Sequence, residues 1–501
     1  LVADMHVRFQ YLGDRPPWNI AMNAAEKFDA NARATLRLLG PDPDNWVPDR
    51  PGIEHNVVIV GGGQTGVAFA FALRRAGVGK VTVIDAAADE ASAGVWLNRA
   101  RMNKLRTPKT LVGPELGVSA LSFQAWFEAR FGAAEYDAID RIERTRWAEY
   151  LAWYRHFLEI PVRYGVRLAR IEPAGSFFRL RLVDASGQEH VETARKVILS
   201  NGVAGNGAPF IPAVLSEHLP ASAYAHTSSA IDFAALRGKA VAVIGGAASA
   251  FDAAGTALEA GARDVHLFVR RSALPAIPVT RARAYPGAYD IYPHLPDAFR
   301  WRQALRFRRA GSTAPVDAVK RVTEHPNFHL HLGASWDHAG VEGGRIAARV
   351  GEETFQFDFA IAGTGYYVDP VVRPELSALS RDILLWRDRY APGEGERDDY
   401  LGAHPYLGAG HEYLEKTPGA APYLANLHVY NPAGFVSFGL PVGDVPSMKR
   451  DIPAVVSRIS RDLFIADLEQ HEQRMTGDVP PDFSPELYSA SVWKGERADV
   501  A

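Results

Sequence analysis

Two glycine-rich turns carry the chemistry that can be read from this chain. The first, VIVGGGQTG, places Gly61, Gly63 and Gly66 in G-x-G-x-x-G spacing between an apolar stretch, His55 to Val60, and a helical pattern from about Thr65 to Ala76. In such a turn the first glycine permits the sharp bend, the second admits a pyrophosphate to the backbone, and the third lets helix and strand pack closely. The N–H groups that open the helix, from Gln64 and Thr65 onward, attract negative charge. Nineteen residues beyond Gly66, Asp85 ends a second strand pattern, VTVID, where a carboxylate can accept hydrogen bonds from ribose hydroxyls. Glycine turns are common in a chain with 44 glycines, so the spacing alone decides little. Strand, loop, helix, strand and acid in series point to a dinucleotide.

The second turn follows the strand pattern AVAVIG and repeats the unit with Gly245, Ala247 and Ala250 at the three positions and Ser249 inside the turn. Two glycines have become alanine, which tightens the pyrophosphate approach without barring it. The same count of nineteen from Ala250 lands on Val269, followed by Arg270 and Arg271. An acid there would repel a 2′-phosphate, whereas a guanidinium can fork onto it. The pair reads either as an NADPH contact or as solvated residues after a strand. Two different second-strand ends suggest two different cofactors, FAD in the first unit and NADPH in the second, with hydride passing from nicotinamide to flavin.

The chain has no cysteine. Disulfides, thiolate metal sites, cysteine nucleophiles and a redox-active cysteine pair are therefore excluded, and no metal site is expected. Electrons must leave by dioxygen, a quinone, another protein or a small oxidant. Lys plus Arg total 55 against 58 Asp plus Glu, so no electrostatic case exists for nucleic acid or an anionic membrane as main partner. No apolar run approaches a membrane span and no secretory signal is visible, so a cytoplasmic location is expected. No interface pattern stands out, which leaves the oligomeric state unread.

These motifs resemble the class B flavoprotein monooxygenases over about residues 56–450. The resemblance rests on the loop at Gly61 to Gly66, on VIGGAASAFD at Val243 to Asp252, and on DFAIAGTGY at Asp358 to Tyr366. The last is similar to the D-x-x-x-x-A-T-G-Y linker of the family, with Gly363 in place of alanine, and implies that Thr364 and Gly365 lie at the NADPH. SNG at Ser200 to Gly202 resembles the point where the chain leaves the FAD domain. The Baeyer–Villiger signature is not matched, since its Phe, Gly and Trp positions around His226 would be Pro220, Ser222 and Ala230. His226 reads better as a hydrogen-bonded structural residue.

The segment from Arg101 to Phe127 looks like the N-hydroxylating branch, which acts on amino acids and diamines. That resemblance implies Lys109 as the catalytic residue beside flavin and substrate, with Trp96, Met102, Leu105 and Arg106 lining FAD. A solvated loop lysine and core packing remain the other readings of these side chains. The implied reaction is NADPH- and oxygen-dependent hydroxylation through a flavin C4a-hydroperoxide. An amino-acid substrate needs cations for its carboxylates, for which Arg281, Arg283, Lys449 and Arg450 are candidates. L-Aspartate, oxidised towards a nitro product, is the expected substrate. Sulfur or carbonyl oxidation, a plain NADPH oxidase or quinone reductase, and a nucleotide-dependent sensor stay open.

The elements that must position these residues form an α/β protein with two Rossmann-like dinucleotide-binding domains. Residues 1–50 read as an N-terminal extension with a helix around Ala21 to Leu39. Residues 51–220 and 351–470 make a discontinuous FAD domain, 221–350 an inserted NADPH domain, and 471–501 a tail. An aromatic-rich helix from Arg146 to Leu158 and strands at Phe177 to Val183 and Val197 to Ser200 belong to the first domain. Tyr285 to Trp301 suggests a lid or pocket wall that aromatic packing could equally explain.

Overall fold

The computed structural model describes residues 23–495. With strands numbered along the chain, β1 (His55–Val60) is buried at four consecutive positions, as expected for a parallel strand covered on both faces. It pairs in parallel with β2 (Val81–Ile84) on one side and with β5 (Glu189–Leu199) on the other. The antiparallel strands β3 (Arg167–Ala174) and β4 (Phe177–Val183) continue the sheet beyond β5. In β4 the buried Phe178, Leu180 and Leu182 alternate with exposed Arg179 and Arg181. Strand β16 (Leu427–Val429) returns from far along the chain to pair with the end of β5.

Two adjacent crossings connect this sheet to the second: β6 (Gly207–Pro209) leaves and β15 (Tyr366–Val368) comes back, paired antiparallel. The second sheet is wholly parallel, in the order β10 (Phe328–Leu332), β9 (Asp264–Val269), β8 (Ala240–Ile244), β14 (Phe359–Ala362), β7 (Tyr224–His226). One face is covered by helices Ala248–Glu259 and Val316–Thr323. The other packs Phe268 against Trp336, Phe355 and Phe357 of a meander, β11 (His338–Glu342), β12 (Arg345–Val350) and β13 (Glu353–Phe357).

Three expectations shift. Because β14 is an inner strand of the second sheet, the chain leaves that domain at Gly363 to Gly365, after the expected boundary at residue 350. Helix Asp297–Ala310, expected in the NADPH domain, buries Trp301 and Leu305 against Trp386, Leu401 and Val436, so it belongs with a separate cluster formed by the C-terminal part. The strand expected over Val197 to Ser200 is the buried end of the longer β5, whose first half is partly exposed and polar.

The extension helix, Ala24–Leu38, starts with an Asn23/Glu26 capping box, and Phe28 packs on Trp153. Helix Leu468–Met475 docks through His471, stacked on Phe464, which places it with the body rather than the tail. Helix Val445–Ala466 packs across the Gln64–Arg75 helix. Among the described residues no helix is long and apolar enough to cross a membrane.

Candidate functional site

The first glycine turn follows β1. Gly61 donates its N–H to Ile84 O at 2.8 Å and has φ +110°, and a Cβ there would collide with Ser200 O, so the position admits only glycine. A Cβ on Gly66 would collide with Gly61 O, which is the close packing the third glycine serves. Over Gly63 the nearest atom to a Cβ would be Gly94 Cα at 3.9 Å, an ordinary contact, so nothing crowds the turn there. No side chain caps the Gln64–Arg75 helix, so its first N–H groups are available to an anion. Thr65 is buried in that first turn. Asp85 accepts from Gly62 N–H and Ala87 N–H, each at 2.7 Å, and is held against the turn. Open turn, uncapped helix and fixed acid fit the pyrophosphate and ribose of FAD.

Residues 94–113 run from this turn towards the second domain. Leu105 is buried and bonds to Ile142 O at 2.7 Å. Trp96 lies edge-on to Trp147, whose Nε1 donates to Gln64 Oε1 at 3.0 Å. Arg144 holds the segment from below, donating to Met102 O at 3.1 Å and to Trp96 O. Three further arginines join it to the inserted domain. Arg101 donates to Thr227 O and, at 2.9 Å, to Ser229 O; Arg321 donates to Arg101 O at 2.7 Å. Arg106 pairs with the buried Asp252 at 2.7 Å. Burial pushes the Asp252 carboxyl above its ordinary value, with Arg106 and Arg321 opposing.

At the second turn, Ala247 opens the Ala248–Glu259 helix, again without a side-chain cap, and Ser249 is exposed on the first turn. Gly245 has φ +144° and donates to Phe268 O at 3.0 Å. Ala250 packs where Gly363 passes: a Cβ on Gly363 would lie 2.6 Å from that of Ala250. The methyl absent from the linker stands on the turn. Arg270 is exposed, with no ion-pair partner among the described residues, whereas Arg271 donates to Arg309 O at 3.0 Å. Thr364 donates to Phe210 O, and Gly365 O accepts from Phe210 N–H and from His226 Nε2, both at 2.9 Å. His226 Nδ1 accepts from Ser228 N–H at 3.0 Å, and burial holds the ring below its ordinary pKa, so His226 locks the crossing as a neutral imidazole.

Of the expected substrate cations, three have described side chains. Arg281 and Lys449 are exposed, and the side chain of Arg283 lies outside the described residues. Arg450 pairs with Asp451 and donates to Tyr289 O at 2.7 Å, so it braces the Tyr285 to Trp301 segment. Within that segment Tyr292 and Trp301 are buried. Lys109 donates to Tyr136 O at 2.6 Å and Asp137 O at 3.2 Å, with its ammonium 4.4 Å from the Tyr136 ring centroid. A cation there satisfies the last carbonyls of helix Ala133–Ala138. Its hydrogen bonds do not link it to either turn.

Sequence patterns did not single out Arg101, Arg144, Arg321 or the first turn of helix Val445–Ala466. Asn431, just after β16, donates to Asn201 Oδ1 at 3.1 Å, and Asn201 follows β5 beside the first glycine turn. Gly443 packs against Asn431, which puts Asp444 at the carboxyl ends of β5 and β16, where open α/β sheets bind ligands. Asp444 caps the helix by accepting Ser447 N–H at 3.1 Å, and Ser447 Oγ meets Tyr430 OH at 2.9 Å. Burial, then the charge of Asp451, pushes Asp444 up to about 7. Asp451 is more deeply buried than the half-buried Asp444, yet His411 and Arg450 hold it below its ordinary value. No local pattern announces such a cluster. Among the described residues no His, Cys, Asp and Glu group could hold a metal.

Comparison with known proteins agrees with this geometry. The family profile described as pyridine nucleotide-disulphide oxidoreductase matches residues 58–280. The FAD-dependent urate hydroxylase of Xanthomonas campestris is 40% identical over 437 residues, covering 86% of this chain and 91% of that protein. Among solved structures, the ornithine hydroxylase of Pseudomonas aeruginosa superposes with TM-score 0.63 at 19% identity, covering 82% of this chain and 99% of that one. The ornithine N-hydroxylase of Kutzneria sp. 744, determined with reduced FAD, NADP⁺ and L-ornithine, gives 0.62 at 17% identity, covering 81% and 99%. The two structures share the fold.

Proposed function

The chain belongs to the same family as the Xanthomonas FAD-dependent hydroxylase, the class B flavoprotein monooxygenases using FAD and NADPH, and from that premise we propose that it hydroxylates urate. The observation that carries this reading is identity of 40% sustained over nine-tenths of a urate hydroxylase. Bound FAD would take hydride from NADPH and pass the electrons to dioxygen.

In this reading Gly61, Gly63, Gln64, Thr65 and Gly66 hold the FAD pyrophosphate and Asp85 its ribose. Trp96, Met102, Leu105 and Arg106 wall the flavin. Gly245, Ala247, Ser249 and Ala250 hold the NADPH pyrophosphate, Arg270 meets the 2′-phosphate with Arg271 behind it, and Thr364 and Gly365 close the crossing. A substrate held between the two domains would be shielded from water at the reacting atoms.

Aspartate remains a lesser reading, because Arg450, one of the cations expected to hold it, is engaged by Asp451. The test is NADPH oxidation in air with each compound. With urate, loss of its ultraviolet band should match NADPH consumed, with little peroxide released. Unchanged urate, together with coupled hydroxylamine formation from L-aspartate, would replace this reading by the other.

A further inference from the structure

A continuous series of side-chain contacts runs from the first glycine turn to the second. Gln64, which opens the helix after the first turn, accepts Trp147 Nε1–H at 3.0 Å. Trp147 meets Trp96 edge-on with ring centroids 6.4 Å apart, and Arg144 grips the main chain at Trp96 and at Met102. Four residues after Met102, Arg106 crosses into the inserted domain and ends on Asp252, at 2.7 Å, in the helix that begins at the second turn. Such a series transmits a change between two sites when one of its links has two arrangements.

The Arg106–Asp252 pair is that link. Asp252 is buried five residues beyond Ala247, about 7 Å along the helix from the N–H groups that would meet the NADPH pyrophosphate. At that range and away from solvent, two negative charges repel with little screening. Arg321 is the other cation near Asp252, and it is committed elsewhere. Its stem runs over Gly255, where a Cβ would lie 2.8 Å from Nε; its guanidinium pairs with Glu259 at 2.6 Å and reaches Arg101 O at 2.7 Å. Asp317 adds a further negative charge. Among the described residues only Arg106 forms an ion pair with Asp252. The Arg106 side chain is 40% exposed, so its withdrawal into solvent disrupts no core.

We propose that Arg106 and Asp252 couple the two nucleotide sites, so that bound FAD tightens NADP⁺ and bound NADP⁺ tightens FAD. FAD seats the segment that lies along it, the seated segment brings Arg106 onto Asp252, and the neutralised pair admits the pyrophosphate. Linkage makes the effect equal in both directions. Both are positioning residues, and the inference rests on placing residues 96–106 along the flavin, which Arg144→Ala tests separately through FAD affinity without NADP⁺.

The test uses the holoenzyme and NADP⁺, which carries no hydride to the flavin. Equilibrium dialysis gives the FAD Kd with and without saturating NADP⁺, and the change in flavin absorbance on titration gives the NADP⁺ Kd. In wild type, NADP⁺ should tighten FAD about tenfold. Asp252→Asn leaves no charge to cancel, so it should abolish that effect while binding NADP⁺ no more weakly than wild type. Arg106→Met should weaken NADP⁺ about tenfold, and adding Asp252→Asn should restore it, which the loss of a merely structural ion pair does not do. An FAD Kd indifferent to NADP⁺ in wild type, or a tenfold effect that survives Asp252→Asn, overturns the proposal. So does a double variant that binds NADP⁺ as weakly as Arg106→Met. Should Arg106→Met fail to retain FAD, the Asp252→Asn measurements decide alone. Urate enters neither measurement, so the substrate reading stands or falls separately.

Discussion

Ala250 and Gly363 show how one residue's departure from a motif is answered by another's. Each position departs from its usual type, and the space between them holds one methyl group. Gly363→Ala would force two methyl carbons to 2.6 Å, an overpacking that costs about 1–3 kcal/mol and should weaken NADPH binding. Adding Ala250→Gly should recover most of that loss, so a double-mutant cycle in denaturant should give clear coupling. Arg270 offers a simpler case. If it meets the 2′-phosphate, Arg270→Ala should raise the NADPH KM about tenfold and leave the NADH KM nearly unchanged. Both positions were legible because the glycine count and the strand period fix where a turn ends. Lys109 was not, since its hydrogen-bond partners at Tyr136 and Asp137 lie on a helix that no local pattern connects to it.

Among the elements, the helix Arg144–Phe157 does more than its aromatic core suggests. Its apolar residues, Trp147, Tyr150 and Tyr154, were readable as packing, and they are buried. Its first residue, Arg144, holds by two main-chain carbonyls the segment that the proposed function places along the flavin. Arg144→Ala should free Trp96 and Met102 and lower FAD affinity about tenfold, measured as flavin lost on gel filtration, with the far-ultraviolet spectrum unchanged. The β-strands around both turns were legible because continuous apolar runs admit few alternatives. Helix Asp297–Ala310 was assigned to the wrong domain because its partners, Trp386 and Leu401, come much later in the chain.

For the whole molecule, buried histidines set the response to acid. Burial lowers His404 to about 4 and His428 to about 3, with the cation of Lys196 adding to the effect on His428. Both rings are neutral in the folded chain, while an unfolded histidine takes its proton near pH 6.5. Unfolding therefore binds protons below that value, so stability falls as pH drops from about 6.5 towards 4, by about 1.4 kcal/mol per pH unit for each ring. Asp444, raised to about 7, works in the opposite sense: protonated when folded at these values, it offsets about one ring. His266, lowered to about 4 by burial and by the neighbouring His329 and His331, adds to the slope, which should appear as a falling Tm between pH 6.5 and 5 that His428→Gln makes shallower. The domain order was legible from the paired glycine turns. The return point was not, because β14 is a short apolar strand whose sheet is chosen only by tertiary pairing.

Across the seam Arg101 and Arg321 donate to main-chain oxygens, with Arg321 gripped on its own side by Glu259, so two of the three arginine ties between the segment and the inserted domain end on uncharged partners. Dissolved ions screen a partner of full charge far more than an uncharged dipole in a half-buried seam. Electrolyte should then weaken capture of the nicotinamide nucleotide while sparing the spacing across which hydride travels. Anaerobic flavin bleaching at saturating NADPH should keep one rate from dilute buffer to strong sodium chloride.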